Sequence, residues 1–138
     1  MTHDRIEVAV GILIHKDGRI LISRRSDDRH QGGLWEFPGG KIEPGECALS
    51  AVVRELSEEL GIHALNPEPL MDVDHNYDDQ QVVLRVLTVR DWQGEPFGAE
   101  GQPIAWVAIN DIPRFEFPAA NQPIIDRLLV SQRNKLLV

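Results

Sequence analysis

The sequence predicts an α/β (α+β) fold, a mixed sheet lying between helices. Three observations carry that expectation. Short aliphatic and β-branched runs recur along the chain, as in IEVAVGILI and QVVLRVLTV. Two longer stretches, residues 47–60 and 121–136, have helical length and helix-type boundaries. No linker, repeat or low-complexity run divides the 138 residues, which suits one domain over 1–138.

The elements follow in order. Residues 6–14 are apolar or alternating and read as the first strand. HKDGRI turns at Asp17-Gly18 and leads into a second strand, ILIS. Residues 27–33 form a polar, glycine-bearing loop. LWEFPGGKIEPGE, rich in Pro and Gly, reads as irregular backbone around a short strand. CALSAVVRELSEEL lacks both residues and is followed by Gly61, a helix with a glycine stop. QVVLRVLTVR and IAWVAI read as strands, and residues 121–136 as a closing helix.

The composition excludes several classes. No run approaches the length needed to cross a bilayer. MTHDRIEVAVGILIH has no cleavage-like site and reads as a strand rather than an export signal. One cysteine, Cys47, permits no internal disulfide framework, so the cytoplasm is the default location. A net charge of −8 argues against a duplex-binding protein. It leaves room for a small phosphorylated ligand if divalent cations reverse the local charge. No obligate protein partner is evident.

RELSEEL concentrates Glu55, Glu58 and Glu59 on the first helix. With Glu55 at zero, Glu58 falls at roughly −60° and Glu59 at roughly +40° on a helical wheel. All three share one side, with the small Ala48 and Ala51 leaving room beside them. Leu49, Val52, Val53, Leu56 and Leu60 form a separate stripe expected to face the core. Glu55 and Glu59 repel at i,i+4 spacing, and Arg54 alone offsets the three carboxylates. Negative charge is also disfavoured in the C-terminal half of a helix. A solvated acidic face is the plain alternative. Clustered carboxylates under two penalties point instead to a hard cation, Mg²⁺ or Mn²⁺.

The spacing around this helix is specific. Gly40, five residues, Glu46, seven residues, then Arg54-Glu55-Leu56-Ser57-Glu58-Glu59-Leu60-Gly61-Ile62 resembles the complete Nudix box at every defining position. The resemblance implies a Nudix hydrolase with an α/β/α sandwich and a divalent-metal requirement. By it, Glu55, Glu58, Glu59 and the Gly40 carbonyl would hold metal. Arg54 would orient the carboxylates, supported by Glu46. Glu55 is the first candidate for general base. Helix capping by Glu46 and a surface ion pair for Arg54 remain the bland alternatives.

Other segments resemble the MutT branch of the family. They are ISRRSDD, LWEFPGGKIEPGE, GEPFGAEGQP and FPAANQPII, spread over nearly the whole chain. The likeness implies that Glu100 is a further metal ligand or base, that Arg25 contacts phosphate or sugar, and that Phe37 presents backbone to the base. Asn121 would read the base. An amide that accepts from N7–H and donates to O6 fits 8-oxoguanine, whereas plain guanine offers two acceptors. Asn121 is equally suited to cap the closing helix, Phe37 and Trp35 to fill core, Glu100 to sit exposed. His30 lies near this region. Residues 77–81, YDDQQ, depart from the branch, where an arginine occurs.

The expected function is metal-dependent hydrolysis of 8-oxo-dGTP to the monophosphate and pyrophosphate, clearing oxidised DNA precursors. A Nudix enzyme for CTP, dCTP or another modified nucleotide is the first alternative. A non-catalytic nucleotide-binding module is the second. The chain ends on NKLLV without a polar tail, which leaves a further domain after Val138 open.

Overall fold

β1 (Arg5–Leu13) is apolar along most of its length because both of its faces are covered. Val10 and Ile12 enter one core cluster, Ala9 and Leu13 another. The computed structural model describes residues 5–26 and 32–134. Within them the chain continues through β2 (Ile20–Arg24), β3 (Trp35–Glu36), β4 (Gly39–Lys41) and α1 (Ala48–Leu60). Next come β5 (His63–Leu65), β6 (Glu68–Tyr77), β7 (Gln80–Val89), β8 (Asp91–Gln93), β9 (Ile104–Val107) and α2 (Gln122–Arg133). Two 3₁₀ turns, Ile109–Arg114 and Ala119–Asn121, join β9 to α2.

The principal sheet has the order β4-β1-β7-β6. β1 and β7 are parallel, and the other two pairings antiparallel, so the sheet is mixed as expected. Parallel neighbours need a long crossover, and α1 lies within it. α1 covers one face with Ala51, Val52, Leu56 and Leu60. α2 covers the other with Ile124, Ile125 and Leu128. A smaller sheet, β3-β2-β9, and a ribbon, β5-β8, complete the frame. Burying a Leu such as Leu56 contributes about 1.5–3 kcal/mol, and truncating it to Ala would cost about 2–5 kcal/mol through the cavity left behind.

The glycine stop of α1 is as expected. Gly61 adopts φ 68°, and its N–H donates to Ser57 O. Other expectations need correction. Ala51 does not leave room beside the glutamates; it is fully buried against the sheet, and Ala48 packs on the same cluster. Leu49, assigned to the core, is 44% exposed. Nor are the carboxylate side and the core stripe separate. Glu55 and Glu59 are partly buried on the sheet-facing side, while Glu58 is exposed.

The strand expected from IAWVAI ends at Val107, and a 3₁₀ turn starts at Ile109. α2 starts after Asn121 and runs to Arg133; the last residues assigned to it, with Leu136, lie outside the described residues, as do residues 27–31 of the polar loop.

Candidate active site

β4 is a sheet edge made of Gly-Gly-Lys, and its missing side chains shape the site. A Cβ on Gly39 would collide with Ala9 O, and one on Gly40 with the Glu55 carboxylate. The edge is therefore thin, and carboxylates from the α1 side reach the cleft on the other side. The resulting cavity is about 560 Å³, in the usual range for a small-molecule site. Its apolar floor is Val8, Val10, Val82 and Leu84, from the α2-side face of β1 and β7. Phe37, Pro118, Ala120 and Asn121 wall one part; Gly39, Gly40, Glu55, Glu59 and Glu100 wall the acidic part.

Arg54 ties the acidic part together. Its Nε donates to Glu46 Oε2 at 2.8 Å and its Nη2 to Glu46 Oε1 at 2.9 Å. Nη1 reaches Glu55 Oε1 at 2.9 Å and Glu58 Oε2 at 3.4 Å, and Nη2 also donates to Lys41 O. Glu43 adds a looser ion pair at 3.7 Å. Glu46 Oε1 also accepts the Glu43 N–H at 3.0 Å. The cap of α1 is Cys47, whose sulfur accepts from Ser50 N, so Glu46 serves Arg54 rather than the helix terminus. The Arg54 guanidinium, with the Glu43 N–H, pulls the Glu46 carboxyl down to about 2. Glu46, followed by Glu55, holds the Arg54 guanidinium more firmly charged than usual.

Glu59 is the most enclosed carboxylate of the group. Its Oε2 accepts the Gly39 N–H at 2.8 Å. Burial pushes its pKa up to about 8; the Gly39 N–H opposes this, and Glu36, Glu55 and Glu100 reinforce it. Burial also raises Glu55, against the pull of Arg54, with Glu58 and Glu100 adding repulsion. Carboxylates so raised are held at an electrostatic cost that a divalent cation would relieve. The donors are hard oxygens, which fits Mg²⁺ or Mn²⁺. Among the described residues no three His, Cys, Asp or Glu side chains are gathered tightly enough to enclose an ion.

The other predicted residues divide as follows. Arg25 lines the cavity and donates from Nη1 to Glu36 Oε1 at 2.8 Å. Phe37 does two things at once: it is 3% exposed in the core, with its ring 5.1 Å from that of Phe117, and it lines the cavity. Trp35 packs edge-on against Phe115 as a core residue. Asn121 makes no side-chain cap bond to α2 and lines the cavity instead. Glu58 is not among the lining residues; its side chain is 56% exposed. His30 lies outside the described residues.

Sequence reasoning missed Glu36, Lys41 and Gln102, and the pocket floor. Val8, Val10, Val82 and Leu84 look like ordinary strand core, and only β1–β7 pairing makes them one surface. Tyr77 and Gln80, from the departing YDDQQ stretch, also line the cavity.

Residues 9–127 match the family described as the NUDIX domain. An 8-oxo-dGTP diphosphatase of Escherichia coli (strain K12) is 40% identical over 124 residues, 90% of this chain and 96% of the relative. A CTP pyrophosphohydrolase of the same organism is 35% identical over 124 residues, 90% of this chain and 91% of the relative. A solved MutT chain from a comparison of Aliivibrio salmonicida and Vibrio cholerae superposes with a TM-score of 0.82 at 36% identity, covering 93% of this chain and 99% of that one.

Proposed function

The chain belongs to the Nudix hydrolase family, and on that footing we propose that it hydrolyses 8-oxo-dGTP to the monophosphate and pyrophosphate. We read residues 1–138 as one Nudix domain working on the cytoplasmic nucleotide pool, removing oxidised guanine before a polymerase incorporates it. The observation that carries this reading is one cavity lined both by Asn121 with an apolar groove and by Glu55, Glu59 and Glu100. Two relatives named as 8-oxo-dGTP diphosphatases, 40% and 39% identical, support it.

On this reading the labour divides as follows. The base enters the groove over Val8, Val10, Val82 and Leu84, beside Phe37. The Asn121 amide accepts from N7–H and donates to O6 of the oxidised base; normal guanine would leave that amide facing two acceptors. A mispairing of this kind discriminates by roughly 10⁴ or more. Arg25, oriented by Glu36, meets phosphate or sugar. Glu55, Glu58, Glu59, Glu100 and the Gly40 carbonyl would hold Mg²⁺ or Mn²⁺. When bound, such a cation supplies charge neutralisation on the polyphosphate and acidifies water. Glu55 stands ready to take the proton of the attacking water. Arg54, backed by Glu46, keeps Glu55 in place.

A second reading, preference for CTP, is favoured by the 35% identical CTP pyrophosphohydrolase. The test is kcat/KM with Mg²⁺ over 8-oxo-dGTP, dGTP, CTP and dCTP, with pyrophosphate as the product followed. The proposal expects 8-oxo-dGTP to lead. CTP in the lead selects the second reading, and no release from any nucleotide points to a binding module.

A further inference from the structure

An α-helix leaves its last carbonyls without intrahelical partners. At the end of α1, the loop of residues 94–103 supplies those partners. Phe97 N–H donates to Leu60 O at 3.1 Å, and Ala99 N–H to Glu59 O at 3.0 Å. Gln102 adds a third bond, from Nε2 to Glu59 O at 2.9 Å. Its Oε1 accepts the Glu100 N–H, also at 2.9 Å. One side-chain amide therefore joins the backbones of two residues whose carboxylates line the cavity from different elements.

The loop is built tightly around this bridge. A Cβ on Gly98 would collide with Gln102 O, and one on Gly61 with the Phe97 ring. Gly101 turns the chain at φ 82° between Glu100 and Gln102. Without the bridge, the loop would be tethered to α1 through Phe97 and Ala99, and the Glu100 N–H would lose its partner. Glutamine suits the task because it carries a donor and an acceptor on one rigid amide. Methionine has the same reach and neither bond.

We propose that Gln102 is a positioning residue whose amide fixes the register of Glu100 against Glu59 across the junction of loop and helix. The consequence for hydrolysis rests on the reading of Glu100 given above; the clamp itself does not.

Two measurements on Gln102→Met test it. The first is amide hydrogen exchange of the metal-free protein. The Ala99 and Glu100 amides are expected to exchange ~10-fold faster, the effect of losing bonds of ordinary net strength, with amides of Val52 to Leu56 unchanged. Gln102→Ala, which also removes bulk, must show the same pattern, so that a folding defect in one variant is recognised. The second is a double-mutant cycle with Glu100→Gln. Gln102→Met alone should lower kcat ~10-fold with KM held within about twofold. In the Glu100→Gln background it should change kcat by less than about twofold. Unchanged exchange overturns the clamp, and so does the same kcat loss in both backgrounds. If Glu100→Gln alone runs at the wild-type rate, the role given to Glu100 fails instead. In that case faster exchange still supports the clamp and unchanged exchange still overturns it.

Discussion

Arg54 and Glu46 meet face to face, with two guanidinium nitrogens on two carboxylate oxygens at 2.8 and 2.9 Å. That fork leaves Nη1 aimed at Glu55 and fixes where the Glu55 carboxylate lies. Lysine offers a point charge and cannot reproduce the fork. Arg54→Lys and Glu46→Gln are each expected to lower kcat by ~10–100-fold, the usual effect of removing a partner that orients a ligand. KM for the nucleotide should change little. Steady-state kinetics decides: an Arg54→Lys enzyme at the wild-type rate would show that the fork is not needed. Because the Glu46 carboxyl lies near 2 in the fold against 4.5 ordinarily, its stabilisation is present above 4.5 and is lost as pH falls toward 2. Acid unfolding of Glu46→Gln should lack that component.

Gly40 and Glu55 make the second prediction. A side chain at residue 40 would occupy the space of the Glu55 carboxylate. Gly40→Ala should displace Glu55 by an ångström or so and lower turnover by roughly 100-fold, as misplacement on that scale does. The fold should survive, since the obstructing atoms end a flexible side chain. Turnover and circular dichroism of Gly40→Ala check this; an active, folded variant would mean Glu55 works from another position.

Glu59 gives a pH prediction. Burial raises its carboxyl from 4.5 to about 8 in the fold. The folded state therefore holds this proton more tightly than the unfolded chain. Its contribution to stability is complete below 4.5 and fades as pH rises through about 8. Tm of the metal-free protein should fall across that window more steeply than Tm of Glu59→Gln. Mg²⁺ competes with the same proton, so its stabilising effect should be larger near pH 8.5 than near pH 5.5. Equal slopes for wild type and Glu59→Gln would show that Glu59 stays ionised throughout.

Asn121 should govern choice rather than rate. Asn121→Ala is expected to reduce the preference for 8-oxo-dGTP over dGTP by at least about 100-fold. Turnover of other nucleotides with Mg²⁺ should persist. Competition between the two nucleotides measures it directly, and unchanged selectivity would remove Asn121 as the base reader.

Some of this molecule was legible before any coordinates. α1 announced itself through a Gly- and Pro-free run and the stop at Gly61, and the resemblance of Gly40 to Ile62 to the Nudix box implied its chemistry. β6 did not, because it is an edge strand: Val73 alone is buried, and Pro69 with three acidic residues disguises the pattern. The helical wheel assigned Ala51 to the ligand side since it could not tell where the sheet lay. Arg54–Glu46 was expected. Arg25–Glu36 depends on the pairing of β2 with β3, and the Gln102 bridge on a loop packed at the end of α1; no periodicity encodes either.

The most direct measurement is pyrophosphate release from 8-oxo-dGTP during a free Mg²⁺ titration, for wild type and Glu58→Gln. The Glu58 side chain is 56% exposed, so loss of its charge leaves the core untouched. Release should vanish in excess EDTA, return with Mg²⁺, and fall by ~100-fold or more in Glu58→Gln at all Mg²⁺ levels. Hydrolysis that continues undiminished in EDTA, or an undiminished Glu58→Gln rate, would contradict a carboxylate-held cation as the source of the activity.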